Sequence, residues 1–111
     1  MEISERKKDD IVIFDIRGDM VGGPGARVLS EKLREYVGEK RVKFIVNLTD
    51  TGWMNSSGIG ILMGGLYTVR GAGGQLKLLK PGKKIRQLLR ATKLDRVFDM
   101  YEDENDALES F

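Results

Sequence analysis

Val42-Lys43-Phe44-Ile45-Val46-Asn47-Leu48 runs into Thr49-Asp50-Thr51-Gly52-Trp53-Met54-Asn55, and then into Ser56-Ser57-Gly58-Ile59-Gly60-Ile61-Leu62-Met63-Gly64-Gly65-Leu66. The first seven residues are mostly apolar, the pattern of a strand buried in the centre of its sheet. Thr49 to Asn55 reads as a loop. From about Ser56 to Arg70 a helix is expected, with Ile59, Leu62, Met63 and Leu66 as its core-facing stripe at i, i+3, i+4, i+7. Strand, loop and helix in that order form half of a parallel crossover unit.

The same alternation extends both ways. Upstream, Ile11 to Ile16 is short and β-branched and ends at Gly18-Asp19, so it reads as a buried strand. Ile3 and its charged neighbours suit a preceding edge strand, with Lys8-Asp9-Asp10 as the turn. Gly22-Gly23-Pro24-Gly25 is a loop, and Pro24 suits the first turn of a helix. Apolar residues at Ala26, Leu29, Leu33, Tyr36 and Val37 then give that helix its stripe, ending near Gly38. Downstream, Gln75 to Lys80 reads as a strand stopped by Pro81-Gly82. Ile85, Leu88, Leu89 and Thr92 mark a helix, Val97 to Tyr101 a short strand, and Asn105 to Phe111 a short final helix. The order β-β-α-β-α-β-α-β-α implies an α/β fold, with a mainly parallel sheet of four to five strands and about four helices.

The chain has 111 residues and a formal net charge of +2, with no cysteine and no histidine. That length fits one domain, 1–111, able to bury a core without staples. The two zeros exclude thiolate nucleophiles, Cys/His zinc sites and Ser-His-Asp triads. So small a net charge does not mark a general polyanion binder. Residues 1–8 are charged and lack the apolar run of a secretory signal. Thr51 to Val69 carries no formal charge, but Gly52, Gly58, Gly60, Gly64 and Gly65 interrupt it and no membrane span is expected.

Met54 to Gly60 lies at the carboxyl end of a buried strand, where open α/β sheets place their binding loops. Its serines stand where a helix begins, with free N–H groups and the positive end of the dipole. The plain reading of Asn55 or Ser56 is a helix cap. The glycines are harder to explain. Gly58, Gly60, Gly64 and Gly65 inside one helix each cost roughly 1 kcal/mol against alanine. Close packing on the sheet accounts for at least two of them, and a smooth face for a docking partner is the other explanation. A dinucleotide site is a weaker reading. The spacing here is G-x-G-x-x-x-G, and the next strand ends at Leu79-Lys80 without an acidic ribose ligand.

Asn55-Ser56-Ser57-Gly58-Ile59-Gly60 resembles the Asp-Ser-Ser/Thr-Gly-Leu-Gly signature of bacterial anti-sigma-factor antagonists, the STAS-domain family. Gly18-Asp19-Met20 is similar to that family's Gly-Glu-Leu turn, and Gly73-Gly74-Gln75-Leu76-Lys77-Leu78 to its Gly-Gly strand entry. Ile85 to Leu89 and Thr92-Lys93-Leu94 resemble its penultimate helix and the run after it, so the likeness covers nearly the whole chain. It implies a cytoplasmic, non-enzymatic regulator without a cofactor. Such a protein binds an anti-sigma factor, often a serine kinase, and so frees the sigma factor. It further implies that the kinase phosphorylates Ser56, with Ser57 the alternative, and that a phosphatase of the PP2C type reverses the step. Asp19, Met20, Trp53, Asn55, Ser57, Gly58, Gly60 and Gly64 would form the partner surface. Two positions depart from the family: Asn55 stands where Asp is usual, and Val21 replaces an acid. Both remove negative charge near the serines, which keeps a second reading open, a STAS scaffold that is never phosphorylated. A nucleotide-binding protein is the remote third.

Trp53 reads either as a core-edge residue, the slightly favoured choice, or as a partner anchor. Lys77, Lys80, Lys83, Lys84, Arg86, Arg90, Lys93 and Arg96 crowd one segment, and an acidic run from Asp99 to Glu109 follows. Only Phe98 flanks the basic segment with an aromatic, so nucleic-acid stacking is unsupported. A solvated helix face partly neutralised by the acidic run is expected instead.

Overall fold

The computed structural model describes Met1 to Phe111 as one five-stranded sheet in the order β1-β2-β3-β4-β5. The strands are β1 (Glu2–Lys8), β2 (Ile11–Arg17), β3 (Lys43–Asp50), β4 (Gln75–Leu79) and β5 (Asp99–Tyr101). β1 pairs antiparallel to β2, and every other pair is parallel. Four helices connect or follow them: α1 (Pro24–Gly38), α2 (Ser56–Gly71), α3 (Lys83–Ala91) and α4 (Glu104–Glu109). The expected α/β order and the central place of Val46 in β3 are both observed.

Strands laid down in sequence order with right-handed crossovers put α1, α2 and α3 on the same face. The main core forms there. Val12, Phe14 and Ile16 of β2, Phe44, Val46 and Leu48 of β3, and Leu76 and Leu78 of β4 meet Leu29, Leu33, Leu62, Leu66, Val69, Ile85 and Leu89 from the helices. The opposite face is smaller. Ile11, Ile13, Ile45 and Leu79 pack there under Ala107 of α4.

Ion pairs fix α4 to that second face. Arg6 on β1 grips Asp15 of β2 through Nε and Nη2 at 2.7 and 2.9 Å, and reaches Glu104 of α4 at 2.6 Å. Asn47 of β3 donates to Asp15 at 2.7 Å. Hydrogen bonding to Arg6 holds both the Asp15 and Glu104 carboxyls below their ordinary pKa values. At the other end Lys77 is buried, donating to the Ser110 carbonyl at 2.9 Å and lying over the Phe111 ring.

Three expectations are corrected. Lys77 belongs to this buried face and not to a solvated basic one. Val97 and Phe98 precede the last strand instead of opening it, because a short 3₁₀ turn at Leu94–Arg96 folds Phe98 into the core. β3 runs on through Thr49 and Asp50, shortening the loop that follows.

Candidate functional site

Two loops meet at the carboxyl ends of β2 and β3, and backbone hydrogen bonds hold them together. Gly18 N–H donates to the Asp50 carbonyl at 3.0 Å, Met20 N–H to Trp53 at 2.9 Å, and Asn55 N–H to Met20 at 3.3 Å. Met20 and Met54 form a parallel bridge, and both side chains are fully buried. Below them the Thr51 hydroxyl donates to the Ile16 carbonyl at 3.1 Å. The loops thus form one rigid layer plugged by two methionines.

α2 starts from this layer. Asn55 is its N-cap, in extended conformation, and its side-chain Oδ1 accepts from Gly58 N–H at 3.0 Å. The same carboxamide donates through Nδ2 to the Val21 carbonyl of the neighbouring loop at 3.2 Å. Ser56 and Ser57 then occupy the first turn with both side chains exposed. They differ in surroundings: a Cβ at Gly22, whose φ is +97°, would stand 3.2 Å from Ser57 Cβ. Ser57 therefore lies against the β2–α1 loop.

The four helix glycines divide into two kinds. A Cβ on Gly58 would come 2.0 Å from the Met20 carbonyl oxygen, and one on Gly65 would come 2.8 Å from Leu33 Cδ1. These two are packing glycines that let α2 approach the loop layer and α1. Gly60 and Gly64 are exposed, with nothing within 4 Å of an added Cβ. The buried stripe is accordingly Gly58, Leu62, Gly65, Leu66 and Val69, with Ile59 and Met63 only partly buried. The Met20 carbonyl occupies the space against Gly58, so this glycine serves the contact between α2 and the loop.

Gly60, Gly64 and Tyr67 stand at i, i+4 and i+7 on one side of α2, and Ser56 precedes Gly60 by one turn. Tyr67 is 66% exposed, and Trp53 and Val21 beside the serine turn are 47% and 44% exposed. Trp53 is not among the residues packed against the core: its backbone carbonyl holds Met20 while about half of the residue is exposed. Among the other expected partner-surface residues, Asp19, Ser57, Gly60 and Gly64 are exposed and Asn55 is half-buried. Met20 and Gly58 are buried, and they shape the surface from beneath without presenting side chains to it. Tyr67 is an addition to the expected set, although its helical spacing from Gly60 places it on that face.

α2 bears no charged residue before Arg70, so its own exposed side is uncharged, with the exposed Asp19 in the loop beside it. The surface recesses, about 290 and 380 Å³, are lined by Asp9, Asp10 and 40–43, and by α1 residues with Ile61. Neither includes the serines or the two loops. An exposed surface that carries Trp53 and Tyr67 and lies outside both recesses suits a protein partner better than a small molecule.

A family model for the STAS domain matches residues 2–107. A Thermotoga neapolitana protein named as an anti-sigma factor antagonist is 28% identical over 75 residues, covering 68% of this chain and 66% of that protein, just under two thirds of its length. The crystal structure of a Thermotoga maritima protein of the same description superposes with a TM-score of 0.88 at 22% identity, over 96% of this chain and 92% of that one. The Bacillus cell-fate determinant SpoIIAA in its phosphorylated form superposes with a TM-score of 0.77 at 17% identity, over 97% of each chain. The chain belongs to the STAS-domain family.

Proposed function

We propose that this STAS protein is an anti-sigma-factor antagonist. It binds a cytoplasmic anti-sigma factor through the face formed by Trp53, Val21, Gly60, Gly64 and Tyr67, and so frees the sigma factor. The anti-sigma factor is a serine kinase that phosphorylates Ser56 and thereby ends the association, and a PP2C-type phosphatase restores it. The observation that carries this reading is the pair of bare glycines. Gly60 and Gly64 cost helix stability and serve no packing contact, while an exposed serine begins the same face and aromatic residues flank it.

Ser56 is preferred to Ser57 because Ser57 lies against Gly22 in the neighbouring loop. A phosphate on Ser56 adds about −1.5 to −2 charge at pH 7 and would meet the open N–H groups and positive dipole end of α2. The domain stays folded, and the bulk and charge act on the partner. The second reading, a STAS scaffold that is never phosphorylated, draws on the neutral Asn55 and Val21 beside the serines. Intact mass of protein isolated from its host, with peptide mapping of wild type, Ser56→Ala and Ser57→Ala after kinase treatment, separates the two. Phosphate on wild type and Ser57→Ala but not on Ser56→Ala supports the switch. Phosphate on Ser57, or on neither serine, contradicts it.

A further inference from the structure

The Asn55 carboxamide makes two bonds of opposite sense. Oδ1 accepts from Gly58 N–H at 3.0 Å, and Nδ2 donates to the Val21 carbonyl at 3.2 Å. Only one orientation of the amide satisfies both, because one partner is a pure donor and the other a pure acceptor. A carboxylate of the same shape can make the first bond but not the second. At position 55 it would set an anionic oxygen against the Val21 carbonyl.

We infer that Asn55 is the positioning residue of this site, a clamp that locks the β2–α1 loop to the first turn of α2 through the donor half of its amide. The inference rests on the reading of Ser56 and its surroundings as the partner surface. Beyond the Gly18–Asp50 bond, three bonds join the two loops beside the start of α2. Two are backbone bonds through Met20, at 2.9 and 3.3 Å, and the third is the Asn55 bond to Val21. Val21, whose carbonyl the side-chain bond holds, is exposed on the partner-facing side. Releasing it frees Val21 and Gly22 from Asn55, and Gly22 is the residue against which Ser57 rests. Asn55 thus fixes where both the serines and the loop beside them stand, without needing to touch a partner itself.

The chemistry supplies its own control. In Asn55→Asp the cap survives, since a carboxylate accepts from Gly58 N–H and suits the helix dipole. The clamp is lost while the introduced carboxyl is ionised. It returns when that carboxyl is protonated, because a carboxylic acid has one O–H to donate. The charged residues nearest this end of the sheet are Arg17 and Asp50, paired in register at the ends of β2 and β3, Asp19 in the β2–α1 loop and Arg27 in the first turn of α1; α1 carries Glu31, Lys32, Arg34 and Glu35 further along, and α2 carries none before Arg70. Wild type retains all of these, so its titration is the background to subtract.

The test is amide exchange and chemical shift of Met20, Val21, Gly22, Asn55 and Gly58 by NMR, from pH 7 to pH 2.5, a range that carries an N-capping Asp carboxyl through its protonation, in wild type and Asn55→Asp. At pH 7 the variant should show protection of the N–H groups at positions 20 and 55 reduced by roughly 2- to 12-fold, the worth of one hydrogen bond. Gly58 N–H and the sheet amides should stay unchanged. As the pH falls the loop signals should return toward wild type in a single titration that wild type lacks. The measurement needs neither phosphate nor partner, so its outcome is independent of whether Ser56 is phosphorylated. Unchanged protection at pH 7, or a loss that acid does not reverse, overturns the clamp. If the variant fails to fold, the scalar coupling across the bond from Asn55 Nδ2–H to the Val21 carbonyl in wild type decides: present, the clamp stands; absent, it does not exist.

Discussion

Gly58 and Gly60 lie two residues apart in the first turns of α2, and adding one methyl to each should have opposite effects. At Gly58 the new Cβ would stand 2.0 Å from the Met20 carbonyl oxygen and 3.0 Å from both the Met20 carbonyl carbon and Met54 Cβ. The obstacle is backbone, so the loop must move. Moving it strains or breaks the Met20–Trp53 and Asn55–Met20 hydrogen bonds, each worth about 1 kcal/mol. Overpacking against the buried methionines adds roughly 1–3 kcal/mol. The better helix propensity of alanine returns about 1 kcal/mol. The net for Gly58→Ala is a loss of roughly 2–4 kcal/mol, a fall in Tm on the order of 10 °C. At Gly60 nothing lies within 4 Å of the added Cβ, so only the propensity and unfolded-state terms act. Gly60→Ala should stabilise by about 0.4–1 kcal/mol. Thermal and urea unfolding of the two variants beside wild type measure both. Equal shifts of the same sign, or a Gly58→Ala protein as stable as wild type, would refute the division of these glycines into packing and surface kinds.

Three further outcomes are expected. Val46→Asp places a charge in a fully buried position of the central strand and should cost several kcal/mol, which circular dichroism would register as loss of the folded signal. Acid should weaken the hold of α4 on the sheet. Asp15 and Glu104 have folded-state pKa values below their ordinary 3.8 and 4.5, so their contribution is complete above those values and is lost as pH falls through the lower folded ones. Stability should therefore drop below about pH 4, and Arg6→Ala should flatten that drop; an unchanged acid profile in Arg6→Ala would show that Arg6 is not its cause. Gly60→Gln and Gly64→Gln should fold normally and bind the partner less well, read by calorimetry beside melting, and matching losses of stability would point to packing instead.

Much of the fold is legible in the sequence because strand and helix periods alternate cleanly from Ile11 onward. The register of α2 is harder to read. Ile59 and Met63 do pack against the core, partly buried as hydropathy suggests, but the helix also turns Gly58 and Gly65 fully inward, since only residues without a side chain let it approach the Met20 carbonyl and Leu33. A buried glycine gives no hydrophobic signal. Trp53 and Met20 mislead in complementary ways: the larger apolar residue is about half exposed, while the residue expected at the partner surface is the plug. The clamp of α4 carries no local signal at all, because Arg6 and Glu104 meet across 98 positions of chain. What can be read at the site is its location, from a serine-glycine turn after a central strand. Which side chains face outward depends on packing.

If the face begun by Ser56 is a protein-binding surface turned off by charge at that residue, affinity and stability must separate. The direct measurement is the affinity of the cognate anti-sigma factor for wild type, Ser56→Ala and Ser56→Asp, taken with the melting temperature of each. Three folded proteins of similar stability are expected. Ser56→Ala should bind as wild type does, and Ser56→Asp should lose about 2–3 kcal/mol of association, roughly 30- to 150-fold in Kd. Ser56→Asp binding as tightly as wild type would show that charge at this serine does not govern the association.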